Sequence, residues 1–75
     1  MTDNDAFPDE EPIAVWESLF LPNWKWEAYE VDGASEERGR TYFGQVKSPN
    51  TYGNWEAGYF TDRQLTKAGA YRIDE

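Results

Sequence analysis

The segment that most restricts how this chain folds is NWKWEAYEVDG, which occupies residues 23–33. Trp24, Trp26 and Ala28 alternate in it with charged residues, and side chains two positions apart lie on the same side of a β-strand. We therefore predict a strand with its two indoles on a buried sheet face and its charged groups on the other face. The pair Asp32-Gly33 predicts a turn that ends this strand.

The apolar segment IAVWESLFL, residues 13–21, is consistent with two structures. As a helix it would begin at Pro12 and place Ile13, Trp16 and Phe20 on one face. As a strand it would alternate its side chains between two faces. We favour the strand, because the Pro-Asn pair that follows makes a short turn into the tryptophan strand.

Two later segments have the β-branched and aromatic composition of strands. They are TYFGQVK, residues 41–47, and WEAGYF, residues 55–60. A glycine inside the first of them, Gly44, predicts either a β-bulge or a site where a neighbouring ring covers the backbone. The polar segments between strands, residues 34–40 and 48–54, are predicted to be loops, the first of them mobile.

The C-terminal region has the signals of a short helix over residues 61–69. Thr61 is a suitable N-cap, Gln64 completes a capping box, and Gly69 suits the position that follows a helix. Residues 70–73 are predicted to add a short edge strand. The predicted fold class is therefore mostly β (α+β): a small antiparallel meander of four to five strands with one short helix near the C-terminus.

Residues 12–75 are predicted to form this single domain. Residues 1–11 contain five acids and no base, which predicts a disordered acidic tail, and Phe7 is the residue that we expect to anchor it. An open sheet edge at residues 13–21 or 70–73 would let two chains pair. We therefore predict a monomer or a weak homodimer that forms through a sheet edge.

Composition limits what can stabilise so short a chain. A domain of 75 residues buries only about 60% of the surface of its unfolded chain. The sequence has neither cysteine nor histidine, which excludes disulfides and zinc sites of the usual kind. Thirteen aromatic residues, four Trp, five Tyr and four Phe, supply the core instead. We expect no cofactor, no bound metal, no association with membranes and a cytoplasmic location.

Catalytic chemistry has little support in this sequence. It offers no histidine for general base catalysis and no cysteine nucleophile. Ser18, Ser35 and Ser48 have no recognisable activating context, and a glycine-rich phosphate loop is missing. We therefore predict that the protein is not an enzyme and has no catalytic residues.

Charge is the strongest functional signal. Fifteen acids against seven bases give a net charge of −8, and residues 1–37 alone, with eleven acids and one base, have a net −10. This balance argues against direct binding to nucleic acid, whose phosphates require neutralisation, and predicts a partner protein with positive charge. Carboxylates on a rigid sheet can imitate phosphates and occupy the basic groove of a nucleic-acid-binding protein. The candidates for this acidic face are Glu17, Glu27, Glu30, Asp32, Glu36 and Glu37.

Two other interpretations of the composition stay open. The acidity can reflect ordinary solvation or a high-salt cytoplasm. The protein can alternatively be a protein- or peptide-binding module that uses exposed aromatic residues, since Trp and Tyr are favoured as anchors at interfaces. The aromatic candidates for that role are Trp16, Tyr52 and Trp55.

Several of these motifs, taken in order, resemble a known family. FLP, NWKWEAYEVDG, YFGQV and EAGYFTDRQL, within residues 13–66, are similar to the pattern of an uncharacterised family of small proteins, a domain of unknown function, found mainly on bacterial plasmids and other mobile elements. The matching positions are Phe20, Pro22, Trp24, Trp26, Tyr29, Glu30, Asp32, Gly33, Phe43, Gly44, Val46, Glu56, Gly58, Tyr59, Phe60, Thr61 and Leu65.

The family has no established activity, but the resemblance implies a setting. Mobile elements carry small acidic proteins that inhibit host restriction or CRISPR nucleases. We therefore expect a non-enzymatic acidic protein that binds and inhibits a nucleic-acid-handling host protein, of the anti-restriction or anti-CRISPR type.

Overall fold

The structure is a computed structural model in which residue 7 and residues 9–74 are described. Residues 1–6, 8 and 75 lie outside that part of the chain, so the disorder predicted for residues 1–11 stays a prediction. The described chain forms five strands, one α-helix and one 3₁₀ turn. In chain order they are β1 (Ala14–Ser18), β2 (Lys25–Ser35), β3 (Gly39–Lys47), the 3₁₀ turn (Pro49–Thr51), β4 (Trp55–Thr61), α1 (Asp62–Lys67) and β5 (Ala70–Arg72).

The strands form one antiparallel sheet in the order β4-β3-β2-β1-β5. This confirms the predicted fold class, a mostly β protein with one short helix near the C-terminus. β1 to β4 form the meander, and α1 then carries the chain back so that β5 pairs with the free side of β1. β1 is therefore an interior strand, and the open edge predicted at residues 13–21 is wrong, whereas β5 is an edge.

The helices of the described chain are all too short or too polar to span a lipid bilayer.

The side of the sheet that α1 covers, here called the packed face, contains the hydrophobic core. Trp16 and Trp26 are directly paired between β1 and β2 and are 7% and 5% exposed. The Trp16 ring lies 5.1 Å from that of Tyr42 and 5.8 Å from that of Phe60, between centroids. Burial of each large apolar side chain contributes roughly 2–3 kcal/mol. The buried core consists of Ala14, Trp16, Trp26, Ala28, Tyr42, Phe60 and Leu65.

The helix has the predicted ends. Thr61 Oγ1 accepts a hydrogen bond from the Gln64 N–H (3.2 Å), and Gln64 Oε1 accepts one from the Thr61 N–H (3.0 Å), which confirms the capping box. Gly69 follows the helix with φ 67°, a conformation that favours glycine. An ideal Cβ at this position would also lie 2.6 Å from the Phe20 ring, so the ring would have to move if a larger residue replaced Gly69.

The second strand is longer than predicted. The pair Asp32-Gly33 does not end it, because β2 continues to Ser35 and the chain turns at residues 36–38. Gly33 has φ 131°, and the register with β3 shifts at this point, so the turn-like sequence forms an irregularity inside the hairpin. The loop predicted for residues 34–40 is therefore wrong, since most of these residues are paired strand.

A second irregularity lies near the centre of the sheet. The register of β2 and β3 shifts between Ala28 and Glu30, so Tyr29 is the extra residue of a β-bulge opposite Gly44. An ideal Cβ on Gly44 would lie 1.9 Å from the carbonyl oxygen of Glu27. The predicted bulge is present, but its extra residue is in β2 and not in β3. The close approach of the two backbones explains why residue 44 is glycine.

Candidate functional site

The side of the sheet opposite α1 is here called the open face. Because directly paired residues of antiparallel strands point to the same side, the register defines rows of neighbouring side chains on it. The row nearest the β1–β2 and β3–β4 connections crosses all five strands and is here called the lysine row. It consists of Tyr71, Glu17, Lys25, Lys47 and Trp55.

The next row of the open face contains a polar cluster. Gln45 is fully buried, and its Nε2 donates a hydrogen bond to Oε1 of Glu27 (2.8 Å). The same carboxylate oxygen accepts a hydrogen bond from the Tyr29 hydroxyl (2.7 Å). Buried amides require such partners. Glu27, a predicted partner-binding carboxylate, therefore uses one of its oxygens inside the molecule.

Aromatic rings occupy the part of the open face beyond this cluster. Phe7 stacks on Tyr29 with ring centroids 4.1 Å apart and lies 5.7 Å from Phe43. Phe7, the residue expected to anchor the N-terminal segment, therefore packs on the open face. Phe43 in turn contacts Tyr59 at 5.0 Å, and Tyr59 is 64% exposed. Tyr59 was not among the predicted surface rings, although its alternation with the buried Phe60 along β4 could have identified it.

The hairpin of β2 and β3 extends past both neighbouring strands. β1 pairs with β2 only up to Ala28, and β4 pairs with β3 from Thr41 onward. The part of the hairpin beyond Tyr29, residues 30–40, is here called the arm. Every residue from 30 to 38 is exposed, so the arm presents a continuous accessible surface.

The base of the arm is attached to the first turn of α1. Asp62 Oδ2 accepts a hydrogen bond from the Arg40 N–H (2.8 Å), and Oδ1 accepts one from the Tyr42 hydroxyl (2.7 Å). The Arg63 N–H donates to the carbonyl of Arg38 (3.0 Å). Burial, and next the Asp62 carboxylate, raises the pKa of Tyr42 above its usual value of 10.0. These contacts fix the arm relative to the helix.

The six candidate carboxylates do not form one continuous face. Glu17 lies at the opposite end of the open face from the arm, in the lysine row, with an oxygen 3.5 Å from the Tyr71 hydroxyl. Glu27 lies between, in the polar cluster. Four candidates lie together in the exposed stretch of residues 30–38, and these are Glu30, Asp32, Glu36 and Glu37.

The three aromatic candidates lie in different environments. Trp16 is 7% exposed in the core, so the prediction that it reaches the surface is wrong: the interior position of β1 and the cover of α1 bury it. Tyr52 is 92% exposed and ends the 3₁₀ turn with φ 56°. Trp55 is half-buried, with Lys47 Nζ 5.0 Å from its ring centroid.

A cleft of about 530 Å³ lies at the end of the sheet beside the lysine row. Ser18 Oγ orders one wall, since it donates to the carbonyl of Ala68 (2.5 Å) and accepts from the Leu21 N–H (2.7 Å). Thr51 Oγ1 orders the other wall by accepting from the Ser48 N–H (3.1 Å). The cleft is lined by Glu17, Ser18, Asn23, Trp24, Lys25, Lys47, Ser48, Pro49 and Gly53.

Comparisons with protein-family models, with curated proteins and with solved structures found no match. The resemblance to the family of plasmid-borne proteins therefore stays a prediction.

Proposed function

We propose that this protein is a non-catalytic inhibitor that uses its acidic arm to occupy a basic, nucleic-acid-binding surface of a host protein. The observation that supports this most directly is the uninterrupted exposure of residues 30–38. That stretch contains four acids and one base. Within the sheet, this is the stretch where sequence acidity and surface accessibility coincide most closely.

The attachment of the arm favours binding. Two hydrogen-bonded strands hold their carboxylates with less conformational freedom than a disordered tail does, so less entropy is lost when a partner orders them. Asp62 limits the motion of the base further through its bonds to Arg40 and Tyr42. An arm ordered in advance is the arrangement expected of a rigid charge mimic.

Electrostatics favours a basic partner. The net charge of −8 attracts the chain to positive surfaces before contact and raises the association rate. Glu37 Oε2 lies 3.9 Å from Arg63 Nη1, but the two side chains are 76% and 52% exposed. Such exposed ion pairs contribute little, so an arginine or lysine of the partner can replace Arg63 at low cost.

A second candidate function is protein or peptide recognition through exposed rings, and the exposure of Tyr52 favours it. The rings are spread over the molecule, however: Phe20 follows β1, Tyr59 lies in β4 and Tyr71 lies in β5. Interface anchors work best when they cluster within one desolvated patch. The acidic arm therefore takes precedence as the proposed contact.

Charge reversal in the arm tests the proposal. We expect Glu30→Lys/Asp32→Lys to abolish capture of a nucleic-acid-binding protein from host extract and to abolish inhibition of its binding to DNA or RNA. The matched control Glu10→Lys/Glu11→Lys makes the same change in net charge at exposed positions outside the sheet. The readouts are quantitative affinity enrichment and a nucleic-acid competition assay with the captured protein.

The outcome separates the two candidate functions. If the control behaves like the arm variant, net charge and not the arm is responsible, and the proposal fails. If Tyr52→Ala removes binding while the arm variant keeps it, the aromatic contact is the correct one. Salt supplies a further distinction, because a charge-based contact weakens steeply as ionic strength rises.

A further inference from the structure

We propose that the cleft beside the lysine row binds a small ligand that has one anionic group, a phosphate or a carboxylate, attached to a flat ring. This site lies at the other end of the sheet from the arm, and the proposal does not depend on the function proposed above. Three features support it: the placement of the lysines, the charge of the cleft and the ring in its wall.

The placement of the lysines is the first observation. The chain has three lysines, and two of them, Lys25 and Lys47, are directly opposite each other in β2 and β3. Like charges in directly opposed positions of a sheet destabilise it. Within residues 7 and 9–74, neither lysine forms an ion pair. Glu17, directly opposite Lys25 in β1, offsets part of this repulsion, and an anion bound beside the two lysines would offset the rest.

The charge of the cleft is the second observation. Among the described residues that line it, two lysines and one glutamate, Glu17, are charged, which leaves a formal +1 in a protein of net charge −8. Lys47 is held on the open face by its contact with Trp55, at 5.0 Å from the ring centroid. One negative group is therefore the charge that this cleft accommodates best.

The ring in the wall is the third observation. Trp24 lines the cleft and is half-buried, and its ring packs against the core and contacts that of Trp26 at a centroid distance of 5.7 Å. A supported indole is a good stacking surface for another flat ring. The volume of about 530 Å³ lies within the usual range of small-ligand sites, roughly 300–1,000 Å³.

Ligand titration of the isolated ¹⁵N-labelled protein tests the site. The probes are adenosine monophosphate, benzoate, and adenosine as the uncharged control. We expect a saturable shift of the backbone amides of Lys25, Lys47 and Gly53 with Kd of about 1 mM or lower for at least one anion, and no saturation with adenosine. The anion with the lower Kd is the one of the two probes that the cleft prefers.

Three variants make the test specific. We expect Lys25→Met/Lys47→Met to weaken binding about tenfold, and because it removes a repulsion it should keep the fold, as its amide spectrum will show. Lys47→Arg keeps the charge and should keep binding. Lys67→Met, which changes the remaining lysine on α1 outside the cleft, is the matched control. Equal weakening by Lys67→Met and the double variant, or no saturation by either anion, would overturn the proposal.

Discussion

The packed face and the open face of the sheet are built from similar residues and have different roles. On the packed face, Trp16, Tyr42 and Phe60 contact one another and are 7%, 5% and 3% exposed. On the open face, Tyr59 contacts Phe43 and is still 64% exposed. α1 covers the first face, whereas among the described residues the second is covered in part by Phe7.

This difference shows what makes an aromatic residue part of the core. Alternation along a strand assigns a ring to one of two faces, but the element that covers that face decides whether the ring is buried. Leu65 of α1 completes the packed face. The open face keeps polar and charged groups among its rings and is therefore the side available for a partner or a ligand.

Alanine substitution of one ring on each face tests the difference between the packed face and the open face. We expect Trp16→Ala to lower the free energy of unfolding by about 3–5 kcal/mol, a large part of the total stability of a small domain. Tyr59→Ala should cost about 1 kcal/mol or less, because its ring is largely exposed. Urea denaturation followed by circular dichroism measures both values. Equal losses would mean that the open face is also core.

Two glycines test how the cost of an added side chain differs between the centre of the sheet and its edge. Gly44 and Gly58 are directly paired in β3 and β4, so each is a control for the other. We expect Gly44→Ala to cost about 3 kcal/mol, because its Cβ would lie 1.9 Å from the Glu27 carbonyl oxygen. Gly58→Ala meets no atom within 4 Å and should be neutral or stabilising by up to about 1 kcal/mol. Thermal unfolding measures the change in stability of each variant. Similar melting temperatures for the two variants would contradict the bulge.

The smallest expected effect concerns the edge formed by β5. Asp74 accepts hydrogen bonds from Arg72 Nε (2.7 Å) and from the Val15 N–H (3.1 Å). The hydrogen bond from Arg72 lowers the pKa of Asp74 from 3.8 to about 2. Because the pKa is lower in the folded state, the contact stabilises the fold above pH 3.8, and this stability is lost as the pH falls towards 2.

We therefore expect Asp74→Asn to be slightly less stable than the wild type at neutral pH and equally stable below pH 2. Melting temperatures across that pH range measure the difference. A difference that stays constant with pH would show that the charge of Asp74 does not contribute.

Much of the fold followed from local patterns. The alternation around Trp26 predicted β2, and the Thr61 and Gln64 pair predicted the start of α1. The sequence did not predict that β2 continues beyond Gly33, because a turn signal and a bulge contain the same residue types and differ in their pairing with β3. It also did not predict that Trp16 is buried, since that depends on β5 joining the free side of β1.

The candidate site was less predictable. Acidity pointed to Glu30 and Asp32, and the arm does expose them, but Glu27 was assigned to the surface and instead supports Gln45. The cleft was missed, because Lys25 and Lys47 are far apart in the chain and become neighbours through the register of β2 and β3.

Local sequence patterns were sufficient for most of the strand segments, for the start of the helix and for the strong acidity of the molecule, because periodicity, capping and charge depend on residues close together in the chain. The tertiary structure alone decided the strand order, the bulge opposite Gly44, the burial of Trp16 and the meeting of the two lysines. Those features depend on register and on which face another element covers, and both are set by contacts between residues distant in the sequence.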